Sequence, residues 1–562
     1  MVGRLGCLDP LAAVRCLMIP LILVGHLTGC QAPSRSVSLD EARQITGQFV
    51  GAEIKTPPRS IDDLLMLLDD YKPGRKQGRL QVAEQRAANQ PDAETRGDPE
   101  RLVQFLHRRG QARARVGRAT DSLEDFNRAI ELSRQHLTPG HDFAELLYDA
   151  VWMEVDNGSY RRATRLAQEA HRYYRWPYAS YSALGRLYAW SGRLDKAREM
   201  LAGLLRDGQR DVTTDFHEPR LRANLAGAEG DWPRAEALFR ETLDLQSQRA
   251  GGWWLEWSKE ATRYHIARAL VGQGRISEAE LLMRDVLAAN LRRLGNSANQ
   301  HTVLLTLELS RILVAAGRFE EAEAMSGKTV ELSNLARLPE TSWFTSNAKF
   351  TGAAALLALD QLAEAADAFL ATGRLLKERA PDQFETWYRD DPNRLLAVIL
   401  HAPTRLEDGV LDTLAAARAG AVGADHYDTA EIMALQAAHL GRRGDRAGAV
   451  ALYRRAFDIM LRGDEQSAGG NEQDEMRRVR QIYLLEDYLE VLADKVAADP
   501  GGHETLIAEA YRIASAARGR RVSAALAASA ARSRITDPDL ARIRFNPGRI
   551  LRQRRSSRIR WA

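Results

Sequence analysis

Cysteine is almost absent from this sequence: 562 residues contain Cys7, Cys16 and Cys30 and no other. Because all three lie in the first thirty residues, the remaining chain has no disulfide framework, no thiolate metal site and no cysteine nucleophile. A cysteine-free body suits an oxidising compartment as well as a reducing one. The cysteine count therefore excludes several kinds of site but does not locate the protein.

The chain also has little excess charge and few motifs that carry chemistry. A formal net charge of +4 gives no argument for a nucleic-acid partner. The twelve histidines show no metal-ligand spacing; His503 and Glu504 begin a zinc-peptidase pattern, but Ile507 stands where the second ligand is needed. No Gly-x-Ser-x-Gly and no phosphate-binding glycine loop occurs. We expect no catalytic residue, metal, cofactor, nucleic acid or small-molecule substrate.

Sustained period-two alternation is missing as well, which argues against a β-sheet domain. Ala, Leu, Arg and Glu dominate instead, and these residues favour helix. A chain of this length is too long for one hydrophobic core. The composition therefore predicts an all-α protein built from several domains or from repeats.

The N-terminus has the three parts of a secretory signal. Positive charge at Arg4 and Arg15 accompanies a short apolar run, residues 16–24, that cannot comfortably span a bilayer. Leu27-Thr28-Gly29-Cys30 resembles the bacterial lipobox, which implies that residues 1–29 are removed and that Cys30 is lipidated. Gln31 follows, as in enteric lipoproteins that move on to the outer membrane. We predict a lipid anchor in the bacterial cell envelope, at the outer membrane or its periplasmic face; the alternative is an ordinary signal peptide with an incidental cysteine.

Residues 30–100 are expected to form a tether with one short helix. Ser60–Tyr71 starts with a capping residue and an acidic first turn, which predicts that helix. The stretch from Lys72 to Glu100 is polar and rich in Arg, Gln, Asp and Pro, which is typical of a linker.

A repeating pattern of turns and small residues occupies residues 101–460. Turns lie at Gly117, Gly158, Gly192, Gly230, Gly274, Gly317, Asp360 and Gly444. They are 34 to 44 residues apart except for the last interval, from Asp360 to Gly444. Five residues after each turn stands a small residue: Ser122, Ala163, Ala197, Ala235, Ala279, Ala322, Ala365 and Ala449. Twelve residues before these stand Gly110, Val151, Gly185, Ala223, Ala267, Ser310, Ala353 and Ala437. The spacing predicts antiparallel helix pairs whose small residues face each other.

These positions resemble the tetratricopeptide repeat. Leu184-Gly185-x-x-Tyr188 followed by Ala197 is the best match, and Leu294–Leu332 is similar to the 42-residue variant found in kinesin light chains. The resemblance implies a helical-hairpin solenoid that winds as a right-handed superhelix. Between Asp360 and Gly444 one more hairpin, with a degenerate signature, is expected near Asp391–Arg418.

In that family, the residue after the first small position faces the concave groove. The residues at that position are Gln111, Trp152, Arg186, Asn224, Arg268 and Arg311. Arg220 lies one helical turn before Asn224 and is added to this set. Guanidinium groups at repeat spacing suit an acidic partner or a C-terminal carboxylate. All except Gln111 are our candidate partner-binding residues. The alternative is that these arginines are simply solvated.

Aromatic residues cluster at Tyr173–Tyr178 and again at Trp253, Trp254 and Trp257. Two interpretations are open for these clusters. They pack long helices and the turns between hairpins, or they form a separate partner-binding patch.

The end of the chain is expected to form a helical connector, residues 465–540, with helices near 471–498 and 504–531. Ala517-Arg-Gly519 and Leu526-Ala-Ala-Ser-Ala-Ala-Arg532 resemble the connector that precedes a CHAT domain, a caspase-like cysteine peptidase, in bacterial tetratricopeptide proteins. No residue matches the catalytic His or Cys of that family. The tail, residues 541–562, contains eight Arg and no carboxylate and is expected to be disordered. It is a frame-shifted remnant or a natural segment that contacts anionic lipid or a partner.

Two function hypotheses follow. The first is a non-catalytic scaffold that is anchored to the membrane through Cys30. It binds an acidic protein or peptide in a superhelical groove. The second is the sensing half of a CHAT-type peptidase whose catalytic domain is truncated or frame-shifted. The two hypotheses differ in one feature: a peptidase needs a reactive Cys–His pair, and a scaffold does not.

Overall fold

The computed structural model describes residues 60–70, 78–157, 159–173, 177–207, 215–249, 253–294, 299–463, 472–498 and 504–516. All of these residues lie in one compact unit that begins at Pro58. The lipobox with Cys30, the CHAT-like motifs at 517–532 and the basic tail at 541–562 lie outside the described residues. Among the helices that are described, none combines the length and the apolar character needed to cross a bilayer.

The described residues form helices joined by turns and contain no strand, which confirms the predicted all-α fold class. Nine helix pairs, called hairpins 1 to 9 below, follow one another between residues 99 and 463, and all but the eighth pack closely as antiparallel hairpins. Before them lie α1 (Asp62–Asp70), α2 (Gly78–Ala88) and α3 (Ala93–Gly97). The first five hairpins are α4 (Pro99–Arg115) with α5 (Ala119–His136), α6 (His141–Asp156) with α7 (Tyr160–Tyr173), α8 (Pro177–Trp190) with α9 (Leu194–Asp207), α10 (His217–Ala228) with α11 (Trp232–Ser247), and α12 (Trp253–Gly272) with α13 (Ile276–Leu294).

The last four pairs follow in chain order. They are α14 (Gln300–Ala315) with α15 (Phe319–Leu335), α16 (Trp343–Ala358) with α17 (Leu362–Arg379), α18 (Pro392–His401) with α19 (Val410–Val422), and α20 (Tyr427–Arg442) with α21 (Arg446–Gly463). A long helix, α22 (Glu472–Ala498), and α23 (504–516) follow the hairpins.

Each predicted turn that is described contains a residue with positive φ. These residues are Gly117 (80°), Gly192 (72°), Gly230 (81°), Gly274 (73°), Gly317 (68°), Asp360 (62°) and Gly444 (93°). A Cβ atom disfavours this backbone region, so glycine is the residue expected there and Asp360 is the exception. Gly158, the eighth predicted turn, lies outside the described residues.

The small residues lie where the two helices of a hairpin are closest. Each second small position, from Ser122 to Ala449, has 0% exposed surface. In the first hairpin the hydroxyl of Ser122 donates a 2.8 Å hydrogen bond to the carbonyl oxygen of Gly110. Between the third and fourth hairpins, a Cβ on Gly185 would lie 2.5 Å from Leu221 Cδ1. The repeated small residues therefore set the helix-to-helix distance.

The expected tether before residue 101 is wrong for its described part. α2 and α3 occupy it, and Ala83 and Ala87 on α2 are buried against Ala112 on α4 and against Val116, which caps the end of α4. Four-residue spacing places the two alanines on one narrow face, and most of the remaining residues of α2 are polar. Average composition therefore suggests a linker although the segment packs as a helix.

The degenerate eighth hairpin has short helices and a long connection. Its two helices make little contact with each other and pack on the neighbouring hairpins instead. A π-helical turn, Phe384–Tyr388, precedes α18. Asp391 caps α18, accepting a 2.9 Å hydrogen bond from the backbone N–H of Arg394. The connection at residues 402–409 ends at Gly409, which has a φ of 71°. The usual turn spacing is absent because this connection is longer than the others.

α22 is part of the solenoid, which differs from the expected connector at 465–540. Leu484, Leu485 and Tyr488 have no exposed surface, and Asp487 accepts hydrogen bonds from the Tyr453 hydroxyl (2.6 Å) and Arg442 (2.6 Å). The helix thus covers the last hairpin with a half-apolar face, as terminal repeats require.

The array curves enough for early hairpins to meet later ones. The hydroxyl of Thr120 donates a 3.2 Å hydrogen bond to the carbonyl oxygen of Arg337. The rings of Tyr160 and Trp343 meet edge to face with centroids 6.3 Å apart. Hairpins 1 and 2 therefore contact the region of hairpins 6 and 7, and the concave side of the array is enclosed.

Candidate functional site

The concave side contains a cavity of about 940 Å³. Its lining comes mainly from the first helices of hairpins 2 to 9, together with the start of α22. All six sequence candidates lie on this lining: Trp152, Arg186, Arg220, Asn224, Arg268 and Arg311. Gln111 does not, since its side chain donates a 2.8 Å hydrogen bond to Asp149 instead. The repeat position thus places side chains in one cavity, while binding of a partner by them stays a prediction.

Arg186 is a deeply buried cation of the cavity, with 4% of its surface exposed. Its guanidinium carbon lies 4.1 Å from the ring centre of Trp152 and 5.4 Å from that of Trp190. No carboxylate of the described residues forms an ion pair with it. Burial, reinforced by the neighbouring Arg220, lowers the pKa of Arg186 well below its ordinary value. Two indole faces therefore hold a charge that no described acid neutralises.

Arg220 extends this cationic region. It is 4% exposed and donates a 3.2 Å hydrogen bond to the hydroxyl of Ser258, without a carboxylate partner among the described residues. Burial lowers its pKa to about 10. Asn224 is fixed beside it, because its oxygen accepts from the Trp190 indole (2.7 Å) and its amide nitrogen donates to the carbonyl oxygen of Arg220 (2.7 Å).

Two histidines next to these arginines are held neutral. Burial, followed by Arg220, lowers the pKa of His217 to about 3. Burial also lowers the pKa of His265 well below its usual range, and Arg268 adds to that effect. His265 stacks between Trp190 and Phe239, with centroid distances of 5.9 and 5.0 Å. The positive charge of this region therefore comes from its arginines and not from its histidines.

Arg268 and Arg311 lie farther along the cavity and have partners. Arg268 is exposed to the cavity, and the adjacent Tyr264 raises its pKa. The Tyr264 hydroxyl donates a 3.0 Å hydrogen bond to Glu308, which also pairs with Arg311 at 3.1 Å. Arg311 donates to Asn347 at 2.7 Å as well. The four predicted arginines are thus not equivalent: Arg311 is neutralised locally, and Arg186 and Arg220 are not.

The far end of the cavity consists of arginine–carboxylate pairs. Arg480 on α22 is buried and pairs with Glu431 at 2.9 Å, and it donates to Asn393 at 2.7 Å. Arg477 pairs with Asp428 at 2.9 Å. These pairs link α22 to hairpins 8 and 9 and leave the uncompensated cations at the other end.

The sequence candidates did not include four parts of the lining, namely Trp190, Tyr264, His265 and the residues of α22. A signal existed for three of them, because Trp190 lies four residues after Arg186 and Tyr264 and His265 lie four and three before Arg268. Those spacings place side chains on one helical face. No periodicity could have supplied Arg477 and Arg480, since α22 lies outside the repeat pattern.

The aromatic clusters have separate positions. Tyr178 is 5% exposed and packs with Leu204 and Leu221, which agrees with a packing role. Trp257 lines the cavity, and its indole N–H lies 2.7 Å from Nε2 of His301. The side chains of Trp253 and Trp254 lie outside the described residues.

Comparison with known proteins supports the repeat assignment. The sequence model of the tetratricopeptide repeat family matches residues 154–215. No curated protein matches the sequence of the chain. Among solved structures, it is similar to a Rap protein complexed with competence and sporulation factor, with 13% identity, 66% of this chain and 100% of that chain covered, and a TM-score of 0.42.

Two further solved structures are similar at comparable levels. One is a Pyrococcus horikoshii STAND protein, a signal transduction ATPase with a tetratricopeptide repeat sensor (15% identity, 67% of this chain and 54% of that chain, TM-score 0.35). The other is a tetratricopeptide repeat protein from Parabacteroides merdae (14% identity, 47% and 99%, TM-score 0.29). The nine hairpins and the matched repeat at 154–215 together make this chain a helical-hairpin solenoid of the tetratricopeptide type.

Proposed function

We propose that this protein is an interaction scaffold that binds a short acidic segment of a protein or peptide in its central cavity. The observation that carries the proposal is the pair Arg186 and Arg220, both buried, both lining the cavity and both without a described carboxylate partner. A buried cation without a counter-charge is costly, and a bound carboxylate would offset that cost.

The size of the cavity favours a segment over a folded domain. About 940 Å³ lies within the range of about 300–1,000 Å³ that is typical of ligand pockets. The walls beside the cations, Trp152, Trp190 and Tyr264, offer apolar surface for the neighbouring residues of such a segment. A side-chain carboxylate and a chain-terminal carboxylate would both satisfy this arrangement.

A peptide-array experiment tests the proposal without knowledge of the native partner. The full-length protein is applied to an immobilised library of ten-residue peptides with either free or amidated C-termini. We expect enrichment of Asp, Glu or free C-termini, loss of that enrichment in Arg186→Gln/Arg220→Gln, and weaker binding at high salt. Arg198→Gln is the matched control, because Arg198 pairs with Glu229 outside the cavity lining. Acidic selection that persists in the double variant would reject the proposal.

We also propose that the scaffold is attached to a bacterial membrane through Cys30. The support is the lipobox-like sequence Leu27–Cys30, which lies outside the described residues. The alternative, a sensing half of a CHAT-type peptidase, rests on motifs at 517–532 that also lie outside them. We give the scaffold precedence because its candidate site consists of described residues.

A further inference from the structure

α1 packs far from the helices that follow it in sequence. It lies against α13 and α15, the second helices of hairpins 5 and 6, more than 200 residues along the chain. Ile61, Leu64 and Leu68 are buried there, with 2%, 5% and 2% of their surfaces exposed. We call the surface of α13 and α15 that carries Arg284, Glu321 and Lys328 the α1 dock; none of these three residues lines the cavity.

Ion pairs and hydrogen bonds accompany the apolar contacts between α1 and its dock, and the two dock cations also pair with carboxylates on their own helices, Arg284 with Glu280 (2.8 Å) and Lys328 with Glu331 (2.9 Å). Arg284 pairs with Asp63 at 3.0 Å and donates a 3.2 Å hydrogen bond to the carbonyl oxygen of Ser60. Lys328 pairs with Asp69 near the other end of α1. The backbone N–H of Ile61 donates a 3.1 Å hydrogen bond to Glu321. The dock therefore recognises an apolar helical face flanked by carboxylates.

The attachment of α1 is weak for physical reasons. A nine-residue helix is shorter than the length at which isolated helices become stable in water. Three buried apolar side chains must therefore offset the conformational entropy lost by the whole segment. Its two carboxylates at the dock remain mostly exposed, Asp63 at 56% and Asp69 at 60%, so their ion pairs contribute little. Local release of α1 should be far easier than unfolding of the hairpins.

The apolar surface of the dock extends beyond α1. Leu281 lies three residues before Arg284 on α13, and Leu335 lies seven residues after Lys328 on α15. Both spacings keep the leucines on the faces that carry the two cations. Their exposures, 60% and 58%, are among the largest of the apolar side chains described. A helix longer than α1 could cover these leucines and gain contacts that α1 does not make.

We propose that the α1 dock is a second binding site, specific for short acidic amphipathic helices, and that α1 occupies it as an exchangeable ligand of the protein itself. The partner presents apolar residues spaced as Ile61, Leu64 and Leu68 are, with carboxylates placed as Asp63 and Asp69 are. This site does not depend on the cavity or on the anchor at Cys30.

A labelled synthetic peptide of residues 59–71 tests the proposal on the full-length protein in detergent. In Leu64→Asp/Leu68→Asp, α1 no longer competes, so the peptide should bind. The wild type should bind it about tenfold more weakly, if the peptide has a Kd of about 100 μM and tethered α1 has an effective concentration near 1 mM. The milder variant Asp63→Lys/Asp69→Lys, measured alongside, leaves the apolar face intact and should free the dock partially. Equal binding to all three proteins, or binding to none, overturns the proposal.

Changes in the peptide identify the face that binds and cannot unfold the protein. A peptide that carries Leu64→Asp/Leu68→Asp should bind at least tenfold more weakly than the parent peptide. The protein in this measurement is the Leu64→Asp/Leu68→Asp variant, whose own α1 has left the dock. The matched peptide Met66→Ala/Leu67→Ala should bind as the parent does, because these side chains are 64% and 36% exposed on docked α1. If the second peptide loses as much as the first, the contact is nonspecific and the dock is rejected.

Discussion

Arg186 stacks its guanidinium on the indole of Trp152, 4.1 Å from the ring centre, and the two residues occupy equivalent positions in successive hairpins. A cation from one repeat is thus held by the aromatic face of the preceding repeat. Arg480, at the other end of the same cavity, is equally buried but is held by the carboxylate of Glu431. Two buried arginines of one cavity are thus held in different ways, one by indole rings and the other by a carboxylate.

Replacing each of these arginines with Met should affect stability differently. Arg186→Met should leave the free energy of unfolding unchanged or raise it by about 1 kcal/mol, since it removes a desolvated charge but also a cation–π contact of about 1–2 kcal/mol. Arg480→Met should lower it by about 3–5 kcal/mol, because Glu431 is left buried without a counter-charge. Denaturant unfolding followed by circular dichroism measures both. A similar loss in the two variants would make Arg186 structural.

Acidification should destabilise the fold partly through His217. The folded protein keeps this residue neutral because burial lowers its pKa to about 3, whereas the unfolded chain binds a proton near pH 6.5. The stability contributed by the neutral form is therefore present above pH 6.5 and is lost as the pH falls toward 3, by up to about 1.4 kcal/mol per pH unit.

His217→Gln should accordingly flatten the dependence of unfolding free energy on pH between 7 and 5. His136→Gln, at an exposed position near the end of α5, serves as the control and should leave the slope unchanged. Equal slopes for wild type and both variants would contradict a neutral, buried His217.

Asp360 and Tyr483 should show measurable coupling. Asp360 has a φ of 62° at a turn where other hairpins use glycine, and its carboxylate lies 2.8 Å from the Tyr483 hydroxyl. In a Tyr483→Phe background, Asp360→Gly should raise the free energy of unfolding by about 1 kcal/mol through relief of the left-handed backbone. In the wild type the gain should be smaller by about 0.5–1.5 kcal/mol, because a hydrogen bond is lost.

The preceding hairpin provides a control for that cycle. Gly317 has a φ of 68° with open space around a would-be Cβ. Gly317→Asp should therefore cost about 1 kcal/mol whether or not Tyr483 is present. Purely additive effects of Asp360→Gly and Tyr483→Phe would show that α22 does not stabilise this turn.

Cys30→Ser should abolish lipid attachment in the native host. Lipoprotein cysteines of this type carry more than one acyl chain, which is enough for stable anchoring, and the serine hydroxyl cannot take their place. Incorporation of labelled fatty acid, compared between wild type and variant, is the measurement. Equal labelling of the two proteins would show that Leu27–Cys30 is not a lipobox.

The repeat period of the sequence by itself determined most of the fold. Positive φ at Gly117 and at the turns like it follows from local backbone sterics, and burial of Ala163 and its equivalents follows from the closeness of paired helices. These are short-range requirements that each repeat satisfies in the same way, so the sequence displays them as a pattern. The same pattern placed Trp152, Arg186 and Asn224 on one concave side.

Tertiary structure alone decided how the charges of that side are distributed. Arg186 and Arg311 occupy equivalent repeat positions, yet Glu308 and Asn347 neutralise Arg311 while indole rings surround Arg186. Some contacts join residues that are separated by up to about 260 positions in the sequence. Examples are the contacts of Tyr160 with Trp343, of α22 with hairpins 8 and 9, and of α1 with α13 and α15. No periodic signal encodes such contacts, because they depend on the accumulated curvature of many hairpins and not on the packing of any one pair.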